Sequence, residues 1–514
     1  MNLLLLTLFI PLIGFFLLCF LPRDSKAAYP LTLLASLLTF ITSLGLIGPV
    51  RENGARFTNV IDQAWITGPS MQIRFHLGVD GINLWLIVLS TFLVPIGIWM
   101  AQTMIADRRK TFFALLLLFE FGLVGVFSAI DLFAFYVFWE VALVPMYLMV
   151  GGWGGARRGA VAVKFFVYTF AGSILMLASI LYLHSQAGSF DYVDIMTAFS
   201  SGRVTLSATQ QLYLFLGFFA AFAVKVPIFP FHTWQPDTYT EAPAPATFLL
   251  AAAMSKMGTY GLLRYSIALF PYGAHSCSRW IAVLAIIGII YGALVALVQP
   301  NIKRLIAYSS LSHLGFIVLG IFTFNQQGAD GAVYQMIAHG LSTGALFLLA
   351  GYMEQRRGSM EIPDFGGIAS AAPGLATAFL IALLASIGLP TLCNFIGEFL
   401  VLQGAALAKF SWAVWAALGV ILSSAYMLWM YQRTFLGRPG NKTALFPDLT
   451  GREWVPLVPL IVLMVWLGSY TQSFMPSISS ATAHILDESR MNDEYRVRLA
   501  TPRSGQFAQV LHAR

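Results

Sequence analysis

Apolar runs of about 20 residues, set apart by short polar breaks, recur from one end of the chain to the other. Each is long enough to cross about 30 Å of hydrocarbon as a helix. Reading apolar stretches between polar breaks predicts fourteen spans, near residues 2–21, 30–49, 77–101, 112–129, 132–151, 163–184, 211–231, 243–269, 280–299, 304–324, 329–353, 373–407, 410–436 and 454–474. Some connections, such as Ser128 to Asp131, are short enough for hairpin turns. The pattern predicts an all-α polytopic membrane protein built as one continuous bundle.

Two spans carry a break. The seventh contains Lys225-Val226-Pro227-Ile228-Phe229-Pro230-Phe231-His232, and the twelfth contains Gly388-Leu389-Pro390-Thr391-Leu392-Cys393-Asn394-Phe395-Ile396-Gly397-Glu398. Each proline removes a backbone N–H and clashes with the preceding turn. In lipid the freed carbonyls need partners, so such breaks belong beside a protein-enclosed or hydrated cavity. An ionisable residue stands next to each. Glu140 and Lys225 are as far apart in sequence as His313 and Glu398, and the second pair lies five spans after the first. An odd offset reverses orientation in the membrane. Matched breaks and matched polar residues then predict an inverted repeat with two discontinuous helices, spans 7 and 12.

Composition agrees. The 514 residues are 58% hydrophobic and 10% charged. The net charge of +7, which in a soluble protein would suggest nucleic acid, here reflects topology. Loops after odd-numbered spans hold fifteen Lys and Arg, and loops after even-numbered spans hold six. The positive-inside rule places the odd loops in the cytoplasm and both termini outside. The first span lacks a basic n-region and a cleavage site, and is read as a retained helix rather than a signal peptide. Cys19, Cys277 and Cys393 are isolated, which supports neither an iron–sulfur cluster nor a zinc site; Cys19 and Cys393 are read as small apolar fillers. Gly151-Gly152-Trp153-Gly154-Gly155 matches no nucleotide-binding fingerprint and is read as a flexible connection. The polar tail from Pro476 onward is expected to be partly disordered or to pack on a neighbour.

The candidate chemistry lies in charges within the spans. A charge at the bilayer centre costs at least about 2.5–3.5 kcal/mol. Glu140, Lys225, Lys256 and Glu398 are mid-membrane, and His313 and His339 titrate near neutral pH. A Glu140–Lys225 pair that forms and separates would change proton affinity at both sites. The competing reading is a static ion pair joining helices, which apolar packing would replace at lower desolvation cost. Lys256 is too deep to snorkel. For each histidine the plainer alternative is a neutral ring bonded to a hydroxyl. Lys164 can snorkel, Arg264 fits an anchor or salt bridge near the outer end of its span, and the neighbours of Glu120 suggest no partner. His232 and Asp237 fit a water entry path or helix caps equally well, and Asp80 fits an N-terminal cap.

At Phe138-Trp139-Glu140 with Pro145-Met146-Tyr147, Phe222-Ala223-Val224-Lys225-Val226-Pro227, Lys303-Arg304-Leu305-Ile306-Ala307-Tyr308-Ser309-Ser310 with Ser312-His313, and Gln335-Met336-Ile337-Ala338-His339-Gly340, the chain resembles the antiporter-like membrane subunits of respiratory complex I, the proton-pumping NADH:quinone oxidoreductase. The resemblance runs from Gly78 to about residue 437. It implies three N-terminal helices (1–110), two inverted five-helix repeats (111–270 and 278–438), and a final helix with a polar tail (439–514). It implies that Glu140 and Lys225 form a modulating pair, that Lys256 is the central proton relay, and that Glu398 is the terminal site with His313 and His339 between them. Glutamate at 398, where related subunits carry lysine, points to one branch of the family. The lack of a long lateral helix after span fourteen argues against the L-type.

The resemblance further implies a translocase subunit with no cofactor, metal or redox centre of its own. FMN, iron–sulfur clusters and quinone would be held by partner subunits. L-type and N-type neighbours and the lipid bilayer would surround it in a bacterial inner membrane, with no nucleic acid. The alternative is a subunit of a multi-subunit cation/proton antiporter or of a membrane-bound hydrogenase; a static membrane spacer is the structural reading. The chain departs from the family at Pro236-Asp237-Thr238-Tyr239, where a histidine is usual after Asp-Ala, at the additional Pro245, and at Leu392-Cys393-Asn394 in the second break. These touch the water entry path and local helix geometry.

Overall fold

In the computed structural model, residues 2–68, 72–437 and 446–500 are described, the last with side chains through Ser489. Arg438 and Lys442, counted above among the loop cations, and the boundary between 438 and 439 lie outside them. The chain is mostly helical. Among the described residues eleven helices are long and apolar enough to cross a membrane, from Leu3–Phe20 to Gly451–Ser469. The pattern predicted three further spans, and each is interrupted or less apolar. Residues of the seventh form Ala208–Lys225, which stops at the lysine, followed by turns and the short helix Trp234–Glu241. The eighth is helical over 244–269 but contains two π-helical stretches, Leu250–Met254 and Leu262–Ser266. The twelfth is divided into Pro373–Ser386 and Cys393–Ala408.

Both divided spans satisfy the backbone groups that their breaks free. After Lys225, the indole N–H of Trp234 donates to the Val224 carbonyl at 2.8 Å. At the second break, the Asn394 side-chain amide donates to the Ser386 carbonyl at 3.3 Å, and Gly388 takes a φ of +76° that favours glycine. Pro245 falls in the first turn of Ala244–Leu249, where its missing N–H has no helical partner to lose. The departure is therefore accommodated without a kink.

Three expectations are corrected. The chain is not wholly helical: Thr58–Thr67 (β1) and Gln72–Val79 (β2) form an antiparallel hairpin. The third span accordingly begins at Asn83 rather than 77. The apolar end of β2 ran on into the next helix and hid the boundary. Second, the described part of the tail forms a helix, Met475–Ala500, which packs on this same chain; residues 501–514 of the tail lie outside the described residues. Trp85 donates to Ser477 Oγ at 2.9 Å, Gln326 to the Ser479 carbonyl at 3.0 Å and Tyr192 to Glu488 at 2.8 Å, while Thr482 bonds to Asp330. Third, the 151–155 glycines are held. Gly151 and Gly152 belong to the helix Leu132–Trp153, and the Gly155 N–H donates to the Glu241 carbonyl at 2.8 Å. Cys393 is a buried filler, whereas Cys19 is exposed on its helix.

The connections gather at two faces. At one, Arg108 donates to the Gly152 carbonyl, Trp153 to the Asp107 carbonyl, Lys303 to the Ala242 carbonyl and to Glu354, and Arg356 to Glu453. At the other lie the hairpin, the tail helix and a cluster in which His76 pairs with Asp191 and the Arg74 N–H donates to Asp131. A short antiparallel bridge joins Asp131 to Asp191 on this second face, and another joins Asn301 to Glu361 on the first. Each spans the same sequence separation.

Candidate functional site

Four of the six candidate residues meet in one buried file. Lys256, fully buried, donates from Nζ to the Ala251 carbonyl at 2.7 Å. Ala251 lies in the π-helical stretch Leu250–Met254, where the wider turn changes the i→i−4 pattern. Lys256 Nζ also lies 2.7 Å from His339 Nδ1 on the Gln326–Arg357 helix. The rings of His339 and His313 are 6.1 Å apart between centroids. His313, on Ile302–Ile321, has Nδ1 2.7 Å from Glu398 Oε1. Glu398 sits just beyond the second break, and Gln335 donates to the same oxygen at 3.0 Å. His339 Nε2 has no hydrogen-bond partner, so the file is closed by contact at both ends and open between the two rings.

The other two candidates are placed differently. Lys225 is 1% exposed, and its Nζ has no hydrogen-bond partner. It lies 4.9 Å from the centroid of the Trp139 ring, a favourable placement for a cation over an indole face. Glu140 is half-buried and faces Ser173 and Lys225, but its Oε1 is unpartnered and no ion pair joins it to Lys225. The pair is apart in this structure. Lys225 is nevertheless next to the file: a Cβ on Gly258 would lie 3.2 Å from the Lys225 Cβ, so the helix that carries Lys256 passes directly against it.

The peripheral charges have partners. Arg264 and Asp80 form a buried ion pair, and Asp80 also accepts from the N–H groups of Ile82 and Asn83. Asp80 is thus both cap and counter-ion. Lys164 pairs with Asp237 at 2.7 Å, and Arg304 holds the other Asp237 oxygen at 3.2 Å. Asp237 is therefore held by two cations, while His232 is buried against the rings of Phe229 and Tyr291. Glu120 accepts from Ser36 at 3.2 Å. Tyr239, in place of the usual histidine, donates to the Leu250 carbonyl at 3.2 Å, at the start of the π-helical stretch below Lys256.

Sequence reasoning missed the supporting polar residues. Gln335 is one helical turn from His339, a spacing that signals a shared face. Asn394, which accepts from Ser342 at 3.1 Å, and Ser386, 3.5 Å from His313 Nε2, gave no comparable signal. Among the described residues no group of three or more His, Cys, Asp and Glu is placed to hold a metal ion.

The family model described as NADH:quinone oxidoreductase/Mrp antiporter, TM, matches residues 129–424, which include all six candidates. A relative named NADH-quinone oxidoreductase subunit M, from Rhodobacter capsulatus, is 39% identical over 501 residues, covering 94% of this chain and 96% of its own length. Among solved structures, a chain of respiratory complex I from Thermus thermophilus with bound NADH superposes with a TM-score of 0.85 at 33% identity, over 95% of this chain and 99% of that one. A chain of the Mrp complex from Dietzia sp. DQ12-45-1b superposes with a TM-score of 0.83 at 19% identity, over 96% of this chain and 99% of that one, and shares the fold.

Proposed function

This chain belongs to the NADH:quinone oxidoreductase/Mrp antiporter transmembrane family, and from that membership we propose that it is the proton-translocating membrane-arm subunit of an NADH-quinone oxidoreductase, of the subunit M type. The relatives at 39% and 33% identity belong to NADH-quinone oxidoreductase and respiratory complex I. The Mrp chain at 19% supports the fold alone, so the antiporter reading is not favoured.

Lys256–His339–His313–Glu398, a buried file of titratable side chains across four helices, is the observation that carries the proposal. In this reading Lys256 is the central relay. Its proton passes to His339, crosses the gap between the rings to His313, and reaches Glu398 at the second break. Glu140 and Lys225 act as the modulating pair: a positive Lys225 beside the Lys256 helix disfavours a second positive charge there, and moving Lys225 toward Glu140 relieves that repulsion. The driving force comes from redox chemistry in partner subunits that hold FMN, iron–sulfur clusters and quinone, with L-type and N-type members as neighbours and no redox centre in this chain.

The same reading takes the architecture as fourteen crossings with two inverted repeats and both termini on the outer side of a bacterial inner membrane. The gathering of alternate connections at two faces supports the crossings. The Asp131–Asp191 and Asn301–Glu361 bridges, alike in spacing and on opposite faces, support the inversion.

The test is Lys256→Met in the assembled complex, reconstituted in sealed vesicles. The rate of NADH-driven proton uptake should fall at least about a hundred-fold, in the range typical for loss of one positioned proton-transfer group. Normal pumping in a normally assembled variant would sink the relay.

A further inference from the structure

On the face that carries Arg108, Lys303 and Arg356, a cavity of about 630 Å³ opens where the first and third connections meet. Arg23, Lys26, Arg108, Arg109 and Lys110 line it, and Asp24 is the one acidic residue among its walls. Among the described residues none of the five cations is in an ion pair. Three are turned onto neutral carbonyls instead: Arg108 donates to Gly152 at 2.8 Å, Lys110 to Leu21 at 2.7 Å and Arg109 to Ile105. Elsewhere on the same face Lys164, Arg304, Lys303 and Arg356 have carboxylate partners, while Arg158 and Arg357 bond single carbonyls; among the described residues only the cavity gathers five such cations. The cavity is therefore a local excess of positive charge, with five cations to one carboxylate.

Backbone electrostatics add to that excess. The amino ends of Ala28–Leu44 and Arg109–Ser128 both contribute to the walls, and neither has a side-chain cap or an acidic residue in its first turn. Cations at a helix amino end oppose the macrodipole, and an anion in the cavity would reverse that cost. The surface beside the cavity is apolar: Phe16, Leu17 and Phe20 of Leu3–Phe20 are 53%, 49% and 86% exposed, and Leu34 and Ile41 of Ala28–Leu44 are 56% and 60% exposed.

We propose that this cavity binds the headgroup of an anionic glycerophospholipid, with the phosphate among Arg23, Lys26 and Arg109 and the acyl chains along the exposed faces of the first two helices. Basic pockets between transmembrane helices on the cation-rich side suit such headgroups. A soluble phosphate would use the cations but leave the adjoining apolar faces without a role. The inference is independent of the proton path.

The test uses the intact complex, stripped of loosely held lipid in detergent and incubated with phosphatidylcholine vesicles, with or without phosphatidylglycerol, or with inorganic phosphate. Lipid retained on this chain is read by native mass spectrometry. The wild-type chain should keep phosphatidylglycerol in preference to phosphatidylcholine. Arg23→Gln/Lys26→Gln/Arg109→Gln should keep at least about ten-fold less, since each surface cation contributes about 1 kcal/mol toward an anionic lipid. Arg23→Lys/Arg109→Lys should restore retention. If the triple variant does not assemble, Arg23→Gln/Lys26→Gln, which removes no side-chain hydrogen bond among the described residues, gives the same reading at smaller amplitude. Equal retention of phosphatidylglycerol by wild type and variants would overturn the proposal, as would its displacement from wild type by inorganic phosphate.

Discussion

Glu140 and Lys225 in the first half, and His313 and Glu398 in the second, occupy matching places in sequence and reach opposite arrangements in space. The second pair is in contact at 2.7 Å and supported by Gln335. The first is apart, with Lys225 Nζ unbonded over an indole ring and one Glu140 oxygen unpartnered. A buried charge without a partner costs several kcal/mol, so the first site holds free energy that the second has already released. The difference teaches that equivalent positions in a repeat need not be in equivalent states: one half rests open while the other rests closed. A device that passes protons in one direction needs that asymmetry.

Breaking the closed pair should have the largest effect on stability. His313→Leu leaves Glu398 buried with Gln335 alone, and thermal unfolding of the purified complex should report about 3–5 kcal/mol of destabilisation. A change below about 1 kcal/mol would mean that the contact carries little. Lys225→Met probes the open pair. It keeps most of the length of the side chain and removes a buried ammonium that makes no hydrogen bond, so the protein should be stabilised by about 1–4 kcal/mol while proton translocation falls about ten-fold, or about 1.4 kcal/mol in barrier. Large destabilisation with intact pumping would reverse the contrast between the halves.

The two bridges allow a smaller, charge-based comparison. Asp131 in the first half corresponds to Asn301 in the second. Burial, resisted by the Ala134 and Arg74 N–H groups and reinforced by the Asp191 carboxylate, pushes the Asp131 carboxyl up from its ordinary value to about 6. A folded-state value above the unfolded one contributes stability at low pH that is lost as pH rises through about 6. Asp131→Asn copies the second half and keeps the cap bonds from Phe133 and Ala134, but its amide nitrogen cannot accept the Arg74 N–H. It should flatten that decline, read as unfolding midpoints between pH 4 and 8. Trp139→Phe exchanges a buried indole for a smaller ring and a poorer cation partner and should cost on the order of 1 kcal/mol in the same assay.

Much of the site was legible because a charged residue in a 20-residue apolar run cannot be accidental. Lys256 and Glu398 stood out for that reason, and the sequence spacing of His313 and Glu398 matched their contact. The partnership of Lys256 with His339 was legible only through the family resemblance, since nothing in the spacing of one helix specifies its neighbour. The π-helical stretch Leu250–Met254 was invisible because Leu-Ala-Ala-Ala-Met is equally good α-helix. The β-hairpin was hidden for another reason: Gln72–Val79 becomes apolar toward the helix that follows, and periodicity alone does not divide a strand from an adjoining span. The tail helix misled by its polarity. Ser477, Thr482 and Glu488 look solvated, yet they answer polar groups on Trp85, Asp330 and Tyr192.

That tail helix has a consequence for how the protein comes to be made. Residues 475–489 are translated after every span, yet they hold Trp85 near the start of the third and Asp330 near the start of the eleventh. The earlier spans therefore enter the membrane with one face unfinished, and that face is secured only after the last span has been delivered and the tail has packed against it. Completion of the bundle is thereby tied to completion of synthesis. A ribosome that stalls within the tail would leave a chain fully inserted but unlatched, open to proteases on that side.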